Sequence, residues 1–475
     1  MQVQANLLAY IALILTPLVS AAFVGMVRAP ISVPIVLLAG QMFLPANVEL
    51  AIPGLHPTKD VLPAFGALMG VLIFHRRALA RSRPWRGYDL FILVQMLGFV
   101  GTTLTNRTPV FFGPTGLQGL TMYDAFVSAV HCAMYWWPPF YLGRTLYKNS
   151  NDLRKLLSIV AAAGVIYSVF LFIEMLMSPQ LHRWVYGYHQ SEFLQTIRQG
   201  GYRPKAFMRH GLNVALFVLI AVMSATTLAR AKRKVVWVNS TAVAVYLLIV
   251  LVLCKSAGAL VFAGLFLPLL CFLSPRNQAR CAAIAAAILF VYPMVRASGI
   301  IPIDSIRKLT TDQFGGERAG SLAMRFEQEG YIMERALDKI VFGWGGYSRA
   351  FRHDVYTGRN LTTIDGLWAI QIGTQGAVGF ISLFGMLLLP AWRARRTLAK
   401  LASPRDQFLV SALALMTVAY VMDLIPNSSI DPYLTFLVGA LAGTERGLES
   451  APVPSEYTRT APPHHSHDDR PAWVS

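Results

Sequence analysis

Apolar runs of about 20 residues recur along the whole chain and are separated by short polar segments. A helix of that length crosses the hydrocarbon core of a bilayer, and continuous rather than alternating hydrophobicity excludes a membrane β-barrel. The pattern predicts an all-α, polytopic integral membrane protein with about 12 (11–13) transmembrane helices. The predicted spans are residues 6–27, 60–75, 88–104, 123–144, 155–177, 211–229, 235–254, 257–274, 281–296, 367–390, 407–424 and 432–444.

One further apolar segment, residues 30–45, is short and contains Pro30, Pro34 and Pro45. Its length and its prolines leave two interpretations open, a thirteenth span or a re-entrant segment. The first span has neither a basic segment before it nor a small-residue cleavage site after it. We therefore expect a retained helix rather than a signal peptide.

Composition supports the membrane assignment, because 55% of the residues are hydrophobic and only 14% are charged. The formal net charge of +18 would suggest nucleic-acid binding in a soluble protein. Here much of the positive charge lies in short loops, where it fixes topology, so no nucleic-acid partner is expected. The four cysteines lie in or beside predicted spans, which argues against a disulfide framework and against a zinc site.

Five clusters of lysine and arginine predict the orientation of the spans. They lie within residues 76–86, 144–155, 230–234, 276–280 and 393–405. All five fall on one side when the spans alternate, and we assign that side to the cytoplasm. Residues 1–445 then form the transmembrane domain. The Pro-, Ser-, Thr- and His-rich residues 446–475 predict a disordered cytoplasmic tail, in which His464, His465 and His467 are expected to be solvated.

Two larger loops lie on the opposite, periplasmic side: the first loop, residues 178–210, and the second loop, residues 297–366. The first loop carries five basic residues and one acidic residue, a net charge of +4 against the topological trend. An anionic ligand would explain that charge. The second loop carries nine basic and nine acidic residues, so its arginines could simply pair with its carboxylates.

The candidate ligand-binding residues of the first loop follow the Gly200-Gly201 turn and directly precede a span. They are Arg203, Lys205, Arg209 and His210. Planar guanidinium groups suit phosphate oxygens, and a lipid-linked pyrophosphate presents its charge at this depth. His210 could donate a proton or could be structural. Three further ionisable residues, Glu174, Lys255 and Asp423, stand near span ends, where functional roles compete with snorkelling to the surface.

In the second loop, residues 321–340 predict a helix. The apolar positions recur at spacings of three, four and seven residues and are Leu322, Phe326, Met333, Leu337 and Ile340. Arg325 lies near its start, and the run Gly343-Trp344-Gly345-Gly346 predicts a turn at its end. Asp365 directly precedes the next span, where it could act as a general base on a sugar hydroxyl or cap the helix.

These features together resemble the O-antigen ligase and O-antigen polymerase superfamily over roughly residues 150–390. Arg203, Phe207 and His210 before a span resemble the basic motif of the family's first large loop. The stretch Ser256-Ala257-Gly258-Ala259 resembles its small-residue turn, although Lys255 precedes it and the usual following arginine is missing. Arg325, Gly343 and a later span with Gly376 and Gly379 resemble its second-loop signature.

One departure from the family pattern concerns catalysis. Family members commonly carry a His-Asn pair before the last of these spans, whereas Asp365 and Gly366 stand here. Either Asp365 takes over the role of the base, or the chain uses a different acceptor.

The resemblance implies a GT-C-like glycosyltransferase of the bacterial inner (cytoplasmic) membrane with its active site facing the periplasm. Its partners would be an undecaprenyl-pyrophosphate-linked glycan, the lipid bilayer and other polysaccharide assembly proteins such as a flippase or a chain-length regulator. No metal, cofactor or nucleotide sugar would be needed. The implied catalytic residues are Asp365, Arg325 and Arg203, and the implied pyrophosphate- or glycan-binding residues are Arg209, His210, Lys205, Lys255 and Glu174.

The missing histidine favours a polymerase of exopolysaccharide, capsule or O-antigen repeat units over a ligase that transfers glycan to lipid A-core. A flippase or transporter is the alternative from another class. It is disfavoured because the chain shows no convincing internal repeat and its polar residues concentrate in the outward loops. A non-catalytic assembly partner is a third reading, since fold alone does not prove catalysis.

Overall fold

The computed structural model describes residues 5–449 apart from residues 53, 80–83, 85, 199, 300–315, 363 and 402, and it is mostly helical. The helices of this part are α1 (Leu7–Met26), α2 (Ala29–Phe43), α3 (Leu62–Phe74), α4 (Arg76–Leu79), α5 (Asp89–Leu104), α6 (Met122–Leu146), α7 (Ser150–Met177), α8 (Leu181–Tyr186), α9 (Gly211–Arg230), α10 (Ser240–Leu253), α11 (Ala257–Phe272), α12 (Pro275–Ala297), α13 (Gly316–Leu337), α14 (Leu367–Ala399), α15 (Pro404–Asp423) and α16 (Pro432–Glu449). Two antiparallel hairpins join β1 (Val110–Phe112) to β2 (Thr115–Leu117) and β3 (Ile197–Arg198) to β4 (Gly201–Tyr202).

The prediction of an all-α membrane-embedded protein is confirmed at this level. Six helices of the described part, α1, α7, α9, α12, α14 and α15, are long and apolar enough to cross a membrane. Five shorter helices, α2, α3, α5, α10 and α11, are also apolar. Every predicted span overlaps a helix, because uninterrupted apolar sequence leaves the backbone no partner in lipid except itself.

The segment predicted as either a thirteenth span or a re-entrant segment forms α2. The carbonyl of Pro30 at its start accepts a hydrogen bond from the Tyr147 hydroxyl (2.6 Å), beyond the end of α6. The carbonyl of Phe43 at its other end accepts one from Tyr186 of the first loop (2.7 Å). The helix therefore runs from one end of the bundle to the other and does not return to the end where it began.

The basic clusters gather at one end of the bundle, called here the basic end. Arg28, Arg77 and Lys148 line one cleft there. Arg230 donates hydrogen bonds to the carbonyls of Leu270 (2.6 Å) and Leu273 (2.9 Å), between α11 and α12. Arg81 and Arg83 of the first cluster lie outside the described residues.

The opposite end, called the loop end, carries both large loops and the start of α1. Asn6 caps α1 with its side-chain oxygen, and its side-chain amide donates to the carbonyl of Val185 in the first loop (2.8 Å). The chain therefore enters the bundle at the loop end.

The second loop is joined to the bundle at a break in α14. Gly376 adopts φ 64° and ψ −158°, so Ala377 and Val378 cannot bond to the carbonyls four residues earlier. The segment Ile340–Gly345 supplies the missing partners. Ala377 and Val378 donate to the carbonyls of Ile340 (2.7 Å) and Val341 (3.2 Å), and the freed carbonyls of Gly373 and Thr374 accept from Trp344 and Gly345 (both 2.9 Å).

Two glycines make this insertion possible. A Cβ on Gly343, which has φ 66°, would lie 2.5 Å from the backbone carbon of Thr374. A Cβ on Gly376 would lie 2.5 Å from the backbone of Val341. The glycine run that predicts a turn therefore also permits backbone-to-backbone contact inside a broken helix.

The predicted helix at residues 321–340 is present as α13 but starts earlier and ends at Leu337; the side chain of Leu322 lies outside the described part. The last predicted span continues as α16 to Glu449, so the first residues of the predicted tail, 446–449, are helical. Residues 450–475, with His464, His465 and His467, lie outside the described residues.

We expect Gly376→Ala and Gly343→Ala to lower the melting temperature of the detergent-solubilised protein. Each forces an alanine into the left-handed region, at a cost of about 1–2 kcal/mol, and each adds a clash with backbone that cannot move aside. Gly346→Ala is the matched control, since its Cβ meets nothing within 4 Å. Equal melting temperatures for all three variants and the parent would show that the break does not hold the second loop.

Candidate functional site

Asp365 and Arg325, both predicted to be catalytic, form an ion pair at the loop end. Arg325 Nη2 lies 3.2 Å from Asp365 Oδ2, and the two side chains are 36% and 47% exposed. Gly366 occupies the N-cap position of α14, and no side chain caps this helix. Asp365 therefore does not act as the cap. A pair this exposed contributes about 1 kcal/mol or less, so a ligand can compete for either partner.

Arg203, the predicted catalytic residue of the first loop, is buried and has few partners. Its Nη2 donates to Ser256 Oγ (3.1 Å), while its buried Nε finds no acceptor among the described residues. Burial, followed by the charge of Arg198, lowers the pKa of Arg203 to about 10, which leaves it charged at neutral pH. A buried cation with an unused donor is costly unless an anion pairs with it.

Asp423 at the end of α15 links the two loops. It lies close enough to both Arg203 and Arg325 for their charges to act on it. Asn427 donates a hydrogen bond to Asp423 Oδ1 (3.0 Å) and fixes its orientation. We call Arg203, Arg325, Asp365 and Asp423 the arginine site. Arg203 and Arg325, which lie far apart in sequence, thus share electrostatic interaction with one carboxylate, and Arg325 also pairs with a second.

His210 combines the two roles considered for it. Its Nδ1 accepts a hydrogen bond from the backbone N–H of Leu212 (3.2 Å) and caps α9. Burial, followed by the charges of Arg203 and Lys205, lowers the pKa of His210 to about 4. The ring is therefore neutral at neutral pH and carries its proton on Nε2, near Gln195 Oε1 (3.4 Å). It can donate a hydrogen bond to a ligand but is not a ready source of protons.

The hypothesis that Glu174 binds substrate does not fit its surroundings. Glu174 is 1% exposed, and its carboxylate accepts hydrogen bonds from the backbone N–H groups of Leu181 (3.2 Å), Lys205 (2.8 Å) and Ala206 (2.7 Å). Tyr167, on the same helix, holds the neighbouring part of the first loop in the same way. Glu174 therefore positions the segment that carries Arg203.

Lys205 also faces into the loop rather than towards a ligand. It is 2% exposed, its ammonium donates to Ser191 Oγ (2.8 Å), and burial lowers its pKa to about 8. Lys255 is more accessible. Its ammonium donates to the carbonyl of Arg198 (3.2 Å) and lies over Gly201, where a Cβ would be 2.3 Å away. Lys255 therefore covers the β3–β4 hairpin beside Arg203.

Arg209 is partly exposed and is paired with the buried carboxylate of Asp60 (Nη2 to Oδ2, 2.6 Å). The Asp60 carboxylate raises the pKa of Arg209, more than burial lowers it. The positive charge of Arg209 is therefore already balanced, and this arginine is a weaker candidate for pyrophosphate binding than Arg203.

Asp431, in the segment between α15 and α16, is a buried polar centre that the sequence did not indicate. It accepts hydrogen bonds from Tyr420 (2.6 Å), Asn213 (3.3 Å) and Gln41. Burial raises its pKa to about 6. The nearby ammonium of Lys59 is also buried and donates to the carbonyls of Gln41 and Phe207. The only sequence signal was isolated polar residues beside spans.

Glu329 is a second functional candidate that the sequence analysis missed. It lies one helical turn beyond Arg325 on α13, is 6% exposed, and its Oε2 lies 3.8 Å from Arg296 Nε. Burial raises its pKa to about 7, and Arg296 opposes that shift. A carboxyl that titrates near neutrality beside Arg325 is an acid–base candidate. The sequence could have indicated Glu329 through its position four residues after Arg325, because that spacing places both side chains on one face of a helix.

No protein-family model matches the chain, and no curated protein matches it either. Among the described residues, no three His, Cys, Asp or Glu side chains gather closely enough to hold a metal ion. The assignment of function therefore depends on the geometry of the arginine site and its surroundings.

We expect Glu329→Gln to change how stability depends on pH. The raised pKa means that the folded state keeps the proton of Glu329 between about pH 4.5 and 7, while the unfolded state releases it. As the pH rises through that window, the free energy of unfolding of the parent therefore falls by up to about 3 kcal/mol. The variant does not undergo this loss. Thermal unfolding at pH 5 and pH 8 measures this difference. The stability of the variant relative to the parent should be higher at pH 8 than at pH 5. The same stability difference at both pH values would contradict a buried Glu329 that keeps its proton in the folded state.

Proposed function

We propose that the chain is a membrane glycosyltransferase of the polysaccharide polymerase type. It transfers a glycan from an undecaprenyl-pyrophosphate carrier to a hydroxyl of another lipid-linked glycan, in exopolysaccharide, capsule or O-antigen assembly. In this proposal the protein has a GT-C-like architecture, lies in the bacterial inner membrane and turns its loop end to the periplasm. Ligation to another acceptor is the nearest alternative.

The observation that carries the proposal is that Arg203 and Arg325, from the two large loops, each keep capacity to bind an anion and both lie within electrostatic range of Asp423. Among the described residues, Arg203 keeps a buried donor without an acceptor, and Arg325 is held by a half-exposed ion pair with Asp365. A diphosphate offers acceptors for both guanidinium groups, and planar guanidinium groups bind such oxygens in bidentate fashion. The loop end lies at the level where the headgroup of a membrane-embedded carrier presents its phosphates.

The transfer step uses these groups in defined roles. The hydroxyl oxygen of the acceptor forms a bond to the anomeric carbon of the donor glycan. The bond from that carbon to the pyrophosphate oxygen breaks, and its electron pair leaves with the pyrophosphate. Arg203 and Arg325 stabilise the negative charge that develops there. The Asp365 carboxylate accepts the hydroxyl proton.

The Arg325–Asp365 pair connects substrate binding to catalysis. A bound pyrophosphate gives Arg325 a doubly charged partner that competes with Asp365. The carboxylate released from the pair can then approach the acceptor hydroxyl. Lys255 and neutral His210 add hydrogen-bond donors beside Arg203, whereas Glu174 and Lys205 maintain the shape of the first loop.

We expect Arg203→Ala and Arg325→Ala to reduce polymer formation by about two orders of magnitude or more, since each removes a donor to the leaving group. Arg359→Ala is the control, because Arg359 is an exposed second-loop arginine outside the arginine site. Cells lacking the gene would be complemented with each variant, and polymer would be quantified relative to protein in the membrane. Normal polymer length and yield in both arginine variants would remove the assignment.

We expect Asp365→Ala to behave like the gene deletion. Lipid-linked and released glycans would be separated by size in cells complemented with the parent, with Asp365→Ala or with Asp338→Ala, an exposed second-loop control. Accumulation of single repeat units in the deletion and in Asp365→Ala supports a polymerase with Asp365 as its base. Full-length polymer left on its carrier would indicate a ligase, and repeat units trapped on the cytoplasmic side would indicate a flippase.

A further inference from the structure

A cavity of about 460 Å³ lies between α5, α6, α14 and the glycine run of the second loop. Its rim at the loop end includes Tyr347, which is 69% exposed and donates a hydrogen bond to Asp124 (2.9 Å). Its floor extends past Tyr135 and Trp136 towards the middle of α6. The volume suits a small organic group such as one sugar ring.

The wall of this cavity combines apolar surface with polar side chains, among them two histidines, His56 and His131. It presents side-chain amides and hydroxyls from three helices, namely Gln95, Gln371, Gln375, Thr102, Ser128 and Thr374. Neither lysine nor arginine lines it within the described part of the chain, and its one carboxylate, Asp124, lies at the rim. A diphosphate therefore meets no lysine or arginine among the described lining residues, whereas a neutral polyhydroxylated ligand finds both donors and acceptors.

The amides are placed where water is scarce. Gln95 and Gln375 are 3% and 6% exposed, and Gln95 Nε2 donates to Gln375 Oε1 (3.1 Å). The Oε1 of Gln371 is buried and accepts no hydrogen bond from the described residues. A buried polar atom without a partner is unfavourable, and a ligand hydroxyl would satisfy it.

Aromatic rings complete the wall. Phe99, Tyr135 and Trp136 line the cavity opposite the amides of α14, and Tyr347 stands at its mouth. A sugar ring has an apolar face of C–H groups and a rim of hydroxyls. Aromatic rings can pack against the C–H face, and side-chain amides can form hydrogen bonds with the hydroxyls. Tyr and Trp also combine an apolar body with a polar end.

Both the cavity and Asp365 of the proposed reaction centre lie at the N-terminal part of α14. Gln371 follows Asp365 by six residues in sequence and lies in the second turn of α14, which begins at Leu367. Gln375 adjoins the break at Gly376, so the inserted segment Ile340–Gly345 fixes this wall.

We propose that this cavity binds a neutral sugar unit of the acceptor glycan. Identifying the bound glycan as the acceptor rests on the proposed transferase function. The binding of a neutral sugar to the cavity can be tested by itself. Ligand orientation here would decide which hydroxyl meets the base and hence which linkage forms.

The test is saturation-transfer NMR on the purified full-length protein in detergent micelles. The probes are the methyl glycosides of glucose, galactose, mannose, rhamnose and N-acetylglucosamine, all neutral. At least one glycoside should give saturable saturation transfer with the parent protein. Its affinity should fall about tenfold in Gln371→Met and in Gln375→Met, because each variant loses one hydrogen bond to the ligand. Gln118→Met, an exposed glutamine outside the cavity, is the matched control and should bind like the parent.

Melting temperatures check that each variant is folded, and Gln371→Met is the decisive one because its buried oxygen has no protein partner to lose. Absence of saturable transfer with all five glycosides, or equal affinity in the parent and Gln371→Met, overturns the proposal. Arg203→Ala separates the two ideas. This variant should bind the glycoside normally while making no polymer. Normal polymer from Arg203→Ala would count against the transferase assignment and leave the sugar-binding proposal unaffected.

Discussion

The break in α14 at Gly376 is the feature on which the loop end depends. A broken helix within a bilayer leaves two N–H groups and two carbonyls without partners, and each such group costs several kcal/mol in hydrocarbon. The segment Ile340–Gly345 provides hydrogen-bond partners for all four groups. The second loop is therefore held at this point by the hydrogen bonds that the broken helix lacks. The same insertion brings α13 with Arg325 towards Asp365 and forms one wall of the polar cavity.

The first loop is held by a different device with a comparable result. Glu174 and Tyr167 of α7 accept hydrogen bonds from successive backbone amides between Lys205 and Met208. A carboxylate saturated by amides fixes the backbone without neutralising the cations that this backbone carries. Arg203 therefore stays charged, buried and short of acceptors, which is unfavourable for the free protein but suits a site for an anion.

The sequence predicted the helices well because hydrophobicity over some twenty residues is a local property. It also singled out Arg203 and Asp365, which directly precede spans, and Arg325 in the predicted helix of the second loop, and their roles stay predictions. It could not show that Arg325 pairs with Asp365, that Glu174 serves the backbone, or that Gln41, Asn213, Tyr420 and Asp431 form one buried cluster. Those relations join residues tens to hundreds of positions apart. Glu329 was overlooked because its burial depends on Arg296 and Trp368 of other helices.

The start of α14 separates two chemically different environments. Asp365 precedes the helix and shares the charged site with Arg325, whereas Gln371 and Gln375 face a cavity lined by amides, hydroxyls and rings. Transfer between two lipid-linked glycans requires such a division, because the donor brings a diphosphate and the acceptor brings only hydroxyls at its reacting end. A single cationic cleft would favour the phosphates of both substrates equally. Under the proposed function, a base at this boundary would let charge select the donor and hydrogen bonding select the acceptor.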